Sequence, residues 1–259
     1  MTARVHLVEA RTPEREGERK RSFVGKLVLA VRHAWWALGK LVAYCRLRPE
    51  YPAKPLQYDD YWQRRDPVVV GSRFLIMASL VRPESRVLDI GCGEGTLLEH
   101  LVQTRQVQGV GVDISEKAVK VACARGLDAR VADILKDALP DGEFDHVLCG
   151  ELLEHVAEPE RVLLGLKRIL RGTLVVSLPN VGYYPDRCRL LCGRFAVQWL
   201  HHPAEHLRFF TVRDFREFAH DLGFRVVSLH AATGFPVLMR WWPNLFAQQV
   251  VYELEVRRD

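Results

Sequence analysis

The stretch Val87-Leu88-Asp89-Ile90-Gly91-Cys92-Gly93-Glu94-Gly95-Thr96 decides the fold. A short β-rich apolar run leads into alternating glycines and then into a helical pattern. Glycines at 91, 93 and 95 admit φ > 0 and let a ligand approach the main chain, so a nucleotide-type ligand is implied. The dinucleotide fingerprint G-x-G-x-x-G needs a third glycine at position 96, where this chain has Thr. A pyrophosphate also favours a helix N-terminus free of negative charge, whereas Asp89 and Glu94 suit a cationic ligand. S-adenosylmethionine, with its sulfonium and ammonium groups, meets that demand, and Asp89, Gly91, Cys92, Gly93 and Gly95 form the first part of its expected site.

Downstream, Gly109-Val110-Gly111-Val112-Asp113 ends a second strand on a carboxylate placed to accept ribose hydroxyls. Ala132-Asp133-Ile134 closes a third strand, with Asp133 expected beside the adenine amino group and Ile114 and Ile134 as apolar walls.

Around these motifs, β-rich runs alternate with helical periodicity, the pattern of a parallel sheet covered on both faces. Strands are expected near 86–91, 107–113, 128–132, 144–149, 173–178, 224–230 and 249–257. Helix 115–125 opens on Ser115 and stops at Gly126. Helix 158–171 carries Pro159 in its first turn, buries Val162, Leu163, Leu166, Ile169 and Leu170, and ends at Gly172. Helix 211–222 opens on a Thr211-x-x-Asp214 capping box and stops at Gly223. The expected fold class is α/β: a doubly wound, mostly parallel seven-stranded sheet with its last strand antiparallel and a helical extension at the N-terminus.

Over about residues 57–259 the chain resembles the class I S-adenosylmethionine-dependent methyltransferases. The residues that carry this are VLDIGCGEG, GVGVD, the Ala132-Asp133 pair and Glu151-Leu152-Leu153-Glu154-His155-Val156. Within that superfamily, Ser177-Leu178-Pro179-Asn180-Val181-Gly182, the Arg189–Arg194 segment and His206-Leu207-Arg208-Phe209-Phe210-Thr211 look like the MetW-like methyltransferases. The resemblance implies methyl transfer from S-adenosylmethionine, adds Glu151 to the cofactor site, and implies an alternative. In that alternative the chain is a non-catalytic or regulatory partner of a biosynthetic enzyme such as a homoserine acyltransferase. The basic N-terminal helix and Arg240-Trp241-Trp242-Pro243-Asn244-Leu245-Phe246-Ala247 depart from the family pattern.

The chain has 259 residues, of which 48% are hydrophobic and 27% charged, which excludes a wholly disordered or collagenous protein. Its net charge of +5 is an average of two parts. Residues 1–55 carry 12 Lys and Arg against five Asp and Glu, whereas the remainder carries 25 against 27. Residues 1–22 read as a flexible, charge-mixed tail, 23–55 as a basic amphipathic helix with a Pro-containing linker, and 56–259 as the methyltransferase domain. On a helical wheel Phe23, Val24, Leu27, Val31, Ala34, Trp35, Leu38, Leu41, Val42 and Cys45 share one arc, with Lys26, His33 and Lys40 opposite. Three uses of this helix stand open: an in-plane contact with an anionic membrane, a lid or dimer element, and nucleic-acid contact, which ranks last because the domain behind it is slightly acidic. No uncharged run reaches the length of a membrane span, and the basic start lacks the layout of a signal peptide. The expected location is cytoplasmic, with peripheral contact at the inner face of the membrane if the helix binds lipid. The six cysteines are scattered without a C-x-x-C pair and read as reduced thiols.

Methyl transfer is a displacement at a carbon already activated by the sulfonium, so alignment supplies much of the catalysis. A hydroxyl acceptor also benefits from a general base, and His155 and His206 are the candidates, both expected at the carboxyl ends of strands. Asn180, Tyr183 and Tyr184 are expected to shape the pocket of a small or lipid-linked acceptor. No spaced carboxylate set suggests a metal, so metal-independent chemistry is expected. The absence of a G-x-S-x-G elbow sets hydrolysis aside.

Overall fold

The computed structural model describes residue 35 and residues 38–49, 56–64, 68–140, 142–198 and 202–257. The chain divides into two units, Met1–Arg48 and Pro49–Asp259. In the first, residue 35 and residues 38–46 are helical, with Trp35, Leu38 and Val42 exposed. The tail expected over 1–22, residues 23–34 of the basic helix and residues 50–55 of the linker lie outside the described residues. Among the described residues, no helix is long and apolar enough to cross a membrane.

The second unit runs α1 (Tyr58–Arg64), α2 (Ser72–Ser79), β1 (Arg86–Ile90), α3 (Thr96–Arg105), β2 (Gln108–Asp113), α4 (Glu116–Ala124), β3 (Asp128–Val131) and β4 (Phe144–Gly150). It continues through α5 (Pro159–Leu166), β5 (Leu170–Pro179), α6 (Tyr184–Leu191), α7 (Val212–Asp221), β6 (Phe224–Gly234) and β7 (Ala247–Val256). The seven strands form one sheet in the order β3-β2-β1-β4-β5-β7-β6, parallel except for β7, which runs against both β5 and β6. This is the doubly wound sheet that the alternating pattern predicts.

Successive side chains of a strand point to opposite faces, and here both faces are apolar. On one face Leu88, Ile90, Val147, Cys149, Leu174, Val176, Val250 and Tyr252 pack with Val162, Leu163 and Leu166 of α5 and Phe215 and Ala219 of α7. On the other, Val87, Leu148, Val175 and Val251 meet Phe74, Met77 and Ala78 of α2 and Leu97, Leu98 and Leu101 of α3. The strand order reverses between β1, whose chain continues toward β2, and β4, whose chain continues toward β5. Open α/β sheets bind ligands at the carboxyl ends of strands beside such a reversal.

One boundary differs from the sequence pattern. The helix expected over 158–171 stops at Leu166, and Leu170 and Gly172 belong to β5 instead of to a helix end. The pull comes from β4: Phe144 N–H donates to the Ile169 carbonyl at 2.8 Å, and Phe144 pairs with Leu170, so the apolar residues at the end of the helical stripe enter the sheet. Gly172 is required there by close approach, because a Cβ at this position would overlap the Asp145 carbonyl oxygen. Gly165, inside α5, has nothing within 4 Å of a Cβ. Gly172→Ala is therefore expected to lower unfolding stability by about 1–3 kcal/mol. Gly165→Ala is expected to leave it unchanged or raise it by about 0.5–1 kcal/mol in urea titrations.

Candidate active site

The turn after β1 is held open by backbone conformation and by β2. Gly91, Gly93 and Gly95 have φ of 73°, 54° and 76°. The N–H groups of Gly91 and Cys92 both donate to the Val112 carbonyl, at 2.8 and 3.1 Å. Asp113, at the end of β2, closes the arrangement: its carboxylate accepts from Gly93 N–H at 2.8 Å and from Ser115 N–H at 2.9 Å. Ser115 also caps α4 by accepting from Ala118 N–H. Asp89 is buried in β1, and desolvation, with Asp113 nearby, raises its carboxyl to about 7 while Arg73 opposes the rise. Burial likewise lifts Asp113, against the pull of its backbone donors. Burial, then Asp89 and Asp113, pushes the Cys92 thiol far above its usual range, so it stays protonated.

Helix α1 lies across this turn, a feature that no motif announced. Asp59 accepts from the Ser115 hydroxyl at 2.6 Å, and the Trp62 ring sits where a Cβ on Gly93 would be. One turn earlier, the Tyr58 ring stands 6.4 Å from that of His155, edge to face. Burial and the carboxylates of Glu205, Asp113 and Glu154 raise the Tyr58 phenol to about 12.

His155 and His206, separate in sequence, meet with ring centroids 4.8 Å apart and planes perpendicular. The join is made by backbone: Leu207 and Arg208 N–H both donate to the Glu154 carbonyl, at 2.7 and 3.1 Å, and the His155 Nδ1–H faces the Glu205 carbonyl. Glu154 was passed over in the sequence, yet its buried side chain stands with the two histidines. Desolvation and the charge of Glu151 raise its carboxyl well above the usual range, with Arg73 opposing. His206 is lowered to about 3 by burial and by His155, so it is neutral at physiological pH. Glu151 sits in a left-handed backbone conformation, φ 54°, with its carboxylate held by Ser177 at 3.2 Å, Gln249 at 2.9 Å and Arg73 at 3.4 Å.

Other expected residues are engaged differently. Glu94 pairs with Arg125 at 3.3 Å, so its charge is matched within the chain. The Asp133 carboxylate accepts from Lys136 Nζ at 2.7 Å and Leu135 N–H at 3.0 Å, closing its own turn. Ile114 is 48% exposed, while Ile134 packs partly buried against the core. Asn180, expected at the acceptor, is buried: its amide donates to the Ala247, Pro243 and Asn244 carbonyls, and its oxygen accepts from Gly182 N–H. It pins the end of β5 to the segment entering β7. Tyr183 and Tyr184 stack edge to face at 4.9 Å, and Tyr184 continues the cluster to Phe235 and Phe246.

Fold and site together define a Rossmann-like methyltransferase fold, and the comparisons with known proteins agree. Solved neighbours include the CcbJ methyltransferase from Streptomyces caelestis, with a TM-score of 0.56 at 16% identity, covering 78% of this chain and 97% of that one. A SAM-dependent methyltransferase from Archaeoglobus fulgidus matches with a TM-score of 0.54 at 20% identity, covering 76% and 97%. The chain belongs to the MetW family: the family model described as methionine biosynthesis protein MetW matches residues 72–254. Curated relatives named ubiquinone biosynthesis O-methyltransferase include one from Cupriavidus pinatubonensis, 30% identical over 162 residues, 59% of this chain and 65% of that protein. One from Xanthomonas oryzae is 35% identical over 114 residues, covering 40% and 47%. The matches thus span about half to two thirds of those relatives' own lengths.

The structural role of Asn180 is open to test. Asn180→Ala strands buried carbonyls, so unfolding stability is expected to fall by about 1–3 kcal/mol in urea titrations. Unchanged stability would return this residue to the acceptor pocket.

Proposed function

We propose that the chain transfers a methyl group from S-adenosylmethionine to a hydroxyl oxygen of a small or lipid-linked acceptor. The observation that carries this reading is a pair of buried carboxylates, Asp89 and Asp113, flanking a positive-φ glycine turn beside the strand-order reversal. Burial disfavours the charged form of a carboxylate, and a cationic ligand restores it, whereas a pyrophosphate would add like charge. The residues fit the cofactor. Asp113 keeps lone pairs for ribose hydroxyls beyond the two backbone bonds it accepts, since an ionised carboxylate offers about four acceptor sites. Ile114 and Ile134 would flank the adenine, and Glu151 would border the cofactor from the end of β4.

S-adenosylmethionine supplies an electrophilic methyl carbon, which leaves the chain two tasks: to align the acceptor oxygen and to handle its proton. The close approach of His155 and neutral His206 supports the second task. That the relatives are named O-methyltransferases supports oxygen as the acceptor atom.

Calorimetric titration with S-adenosylmethionine tests this reading. Asp89 is protonated below about pH 7 in the free protein, and a bound cation favours its ionised form. Binding is therefore expected to release protons near neutrality and to tighten as pH rises through 7, then level off. Asp89→Asn should flatten that pH dependence, and Asp113→Ala should weaken binding at least about tenfold. No binding at any pH would reject the reading. Transfer of a labelled methyl group to hydroxyl compounds in metabolite or lipid extracts is the expected turnover. Binding without any transfer would favour a regulatory partner in its place.

We further propose that an anionic lipid surface meets the chain through residues 23–48. Support comes from exposed Trp35, Leu38 and Val42 among the described helical residues, and from Lys26, Arg32 and Lys40 in the sequence of this segment. The full chain is expected to float with anionic liposomes and to lose that behaviour on deletion of residues 1–48. Flotation equal for both forms would reject the lipid contact.

A further inference from the structure

Glu154 has an environment that methyl transfer alone does not explain. The residue is 1% exposed, and among the described residues neither of its carboxylate oxygens has a hydrogen-bond partner. His206 Nδ1 is likewise buried with no partner among the described residues. Buried polar groups are nearly always satisfied, so unpartnered polar atoms standing together mark a candidate ligand's place. With His155 they form a compact set, one ligand atom from each residue lying within 4.8 Å of the others.

The supports of this set are those of a metal centre. The contact of His155 Nδ1–H with the Glu205 carbonyl puts the imidazole lone pair on Nε2, the atom 4.0 Å from Glu154 Oε1. A backbone carbonyl on the far nitrogen is the usual way a ligating histidine is oriented. Glu205 is itself fixed, accepting from His202 N–H at 2.6 Å, and the paired N–H bonds to the Glu154 carbonyl lock the loop that carries His206. A small cation would hold such donors at about 2.0–2.2 Å.

We propose that Glu154, His155 and His206 form a divalent-cation site. Two imidazoles and one carboxylate are a borderline donor set, suited to zinc or manganese over calcium or magnesium. Three protein ligands leave coordination positions open, as in a catalytic site and unlike a closed structural one. An open position suits an acceptor hydroxyl, whose proton a neighbouring cation makes easier to lose. In that role, which rests on the methyl-transfer reading, the acceptor O–H bond breaks and its proton passes to solvent. The oxygen then bonds to the methyl carbon as the C–S bond breaks with its electron pair going to sulfur. Binding of the ion does not depend on that reading.

The test is titration of the full, chelator-stripped chain with manganese chloride and, separately, zinc chloride, followed by calorimetry and by metal content after dialysis. One equivalent is expected to bind and to raise the melting temperature. Glu154→Gln and His206→Asn should each weaken binding about 10–100-fold, whereas His220→Asn, an exposed histidine on α7, should not. If Glu154→Gln fails to fold, His206→Asn decides the matter. No binding of either ion, or equal binding by wild type and His206→Asn, would overturn the site. S-adenosylmethionine binding is measured in parallel on the same samples: cofactor binding without metal binding rejects the cation site alone. Metal binding without cofactor binding rejects the methyl-transfer reading and leaves the site standing.

Discussion

Asp113 holds two backbone N–H groups with one carboxylate, and the rest of the site depends on that clasp. Gly93 belongs to the turn after β1 and Ser115 to the cap of α4, so one side chain joins two βα connections. Without it the glycine turn would keep only the Gly91 and Cys92 bonds to the Val112 carbonyl, and α1, which reaches the turn through Asp59 on Ser115 and Trp62 over Gly93, would lose its seat. Because α1 also carries Tyr58 beside His155, the clasp couples the glycine turn to the histidine pair.

A second constraint is electrostatic. Asp89, Asp113 and Glu154 are all buried and all raised by desolvation; Asp89 and Glu154 stand in or beyond the two strands that flank the reversal, and Asp113 ends the next strand, β2. Arg73 opposes the rise at both Asp89 and Glu154. A cleft that concentrates buried carboxylates is stable as a set of neutral acids or as a binding place for cations. The two proposed ligands, a sulfonium donor and a divalent ion, would each supply positive charge to such a set, and neutral His206 adds none of its own.

The sheet and the glycine turn were legible because their signals are local. Strand runs, glycines and Asp113 lie within short windows whose geometry follows from their own residues. The histidine cluster was not, since it joins positions 50 apart through backbone bonds to the Glu154 and Glu205 carbonyls. The sequence placed His155 and His206 at strand ends without pairing them and gave Glu154 no role. At Asn180 and Asp133 a polar residue at the carboxyl end of a strand reads as a ligand contact, and the structure adds contacts within the chain that no local pattern announces. Here the chain needed one to satisfy the carbonyls entering β7 and the other to close a turn. The early stop of α5 belongs to the same class, a helical stripe overruled by pairing with β4.

The central claim is that the Gly91–Gly95 turn and Asp113 receive a cationic nucleoside cofactor. A crystal structure of the full chain grown with S-adenosylmethionine tests it most directly. The account predicts density along that turn, with the ribose hydroxyls on Asp113 and the ammonium group on the side of Asp89. Density at another place, or an empty turn at saturating cofactor, would contradict it.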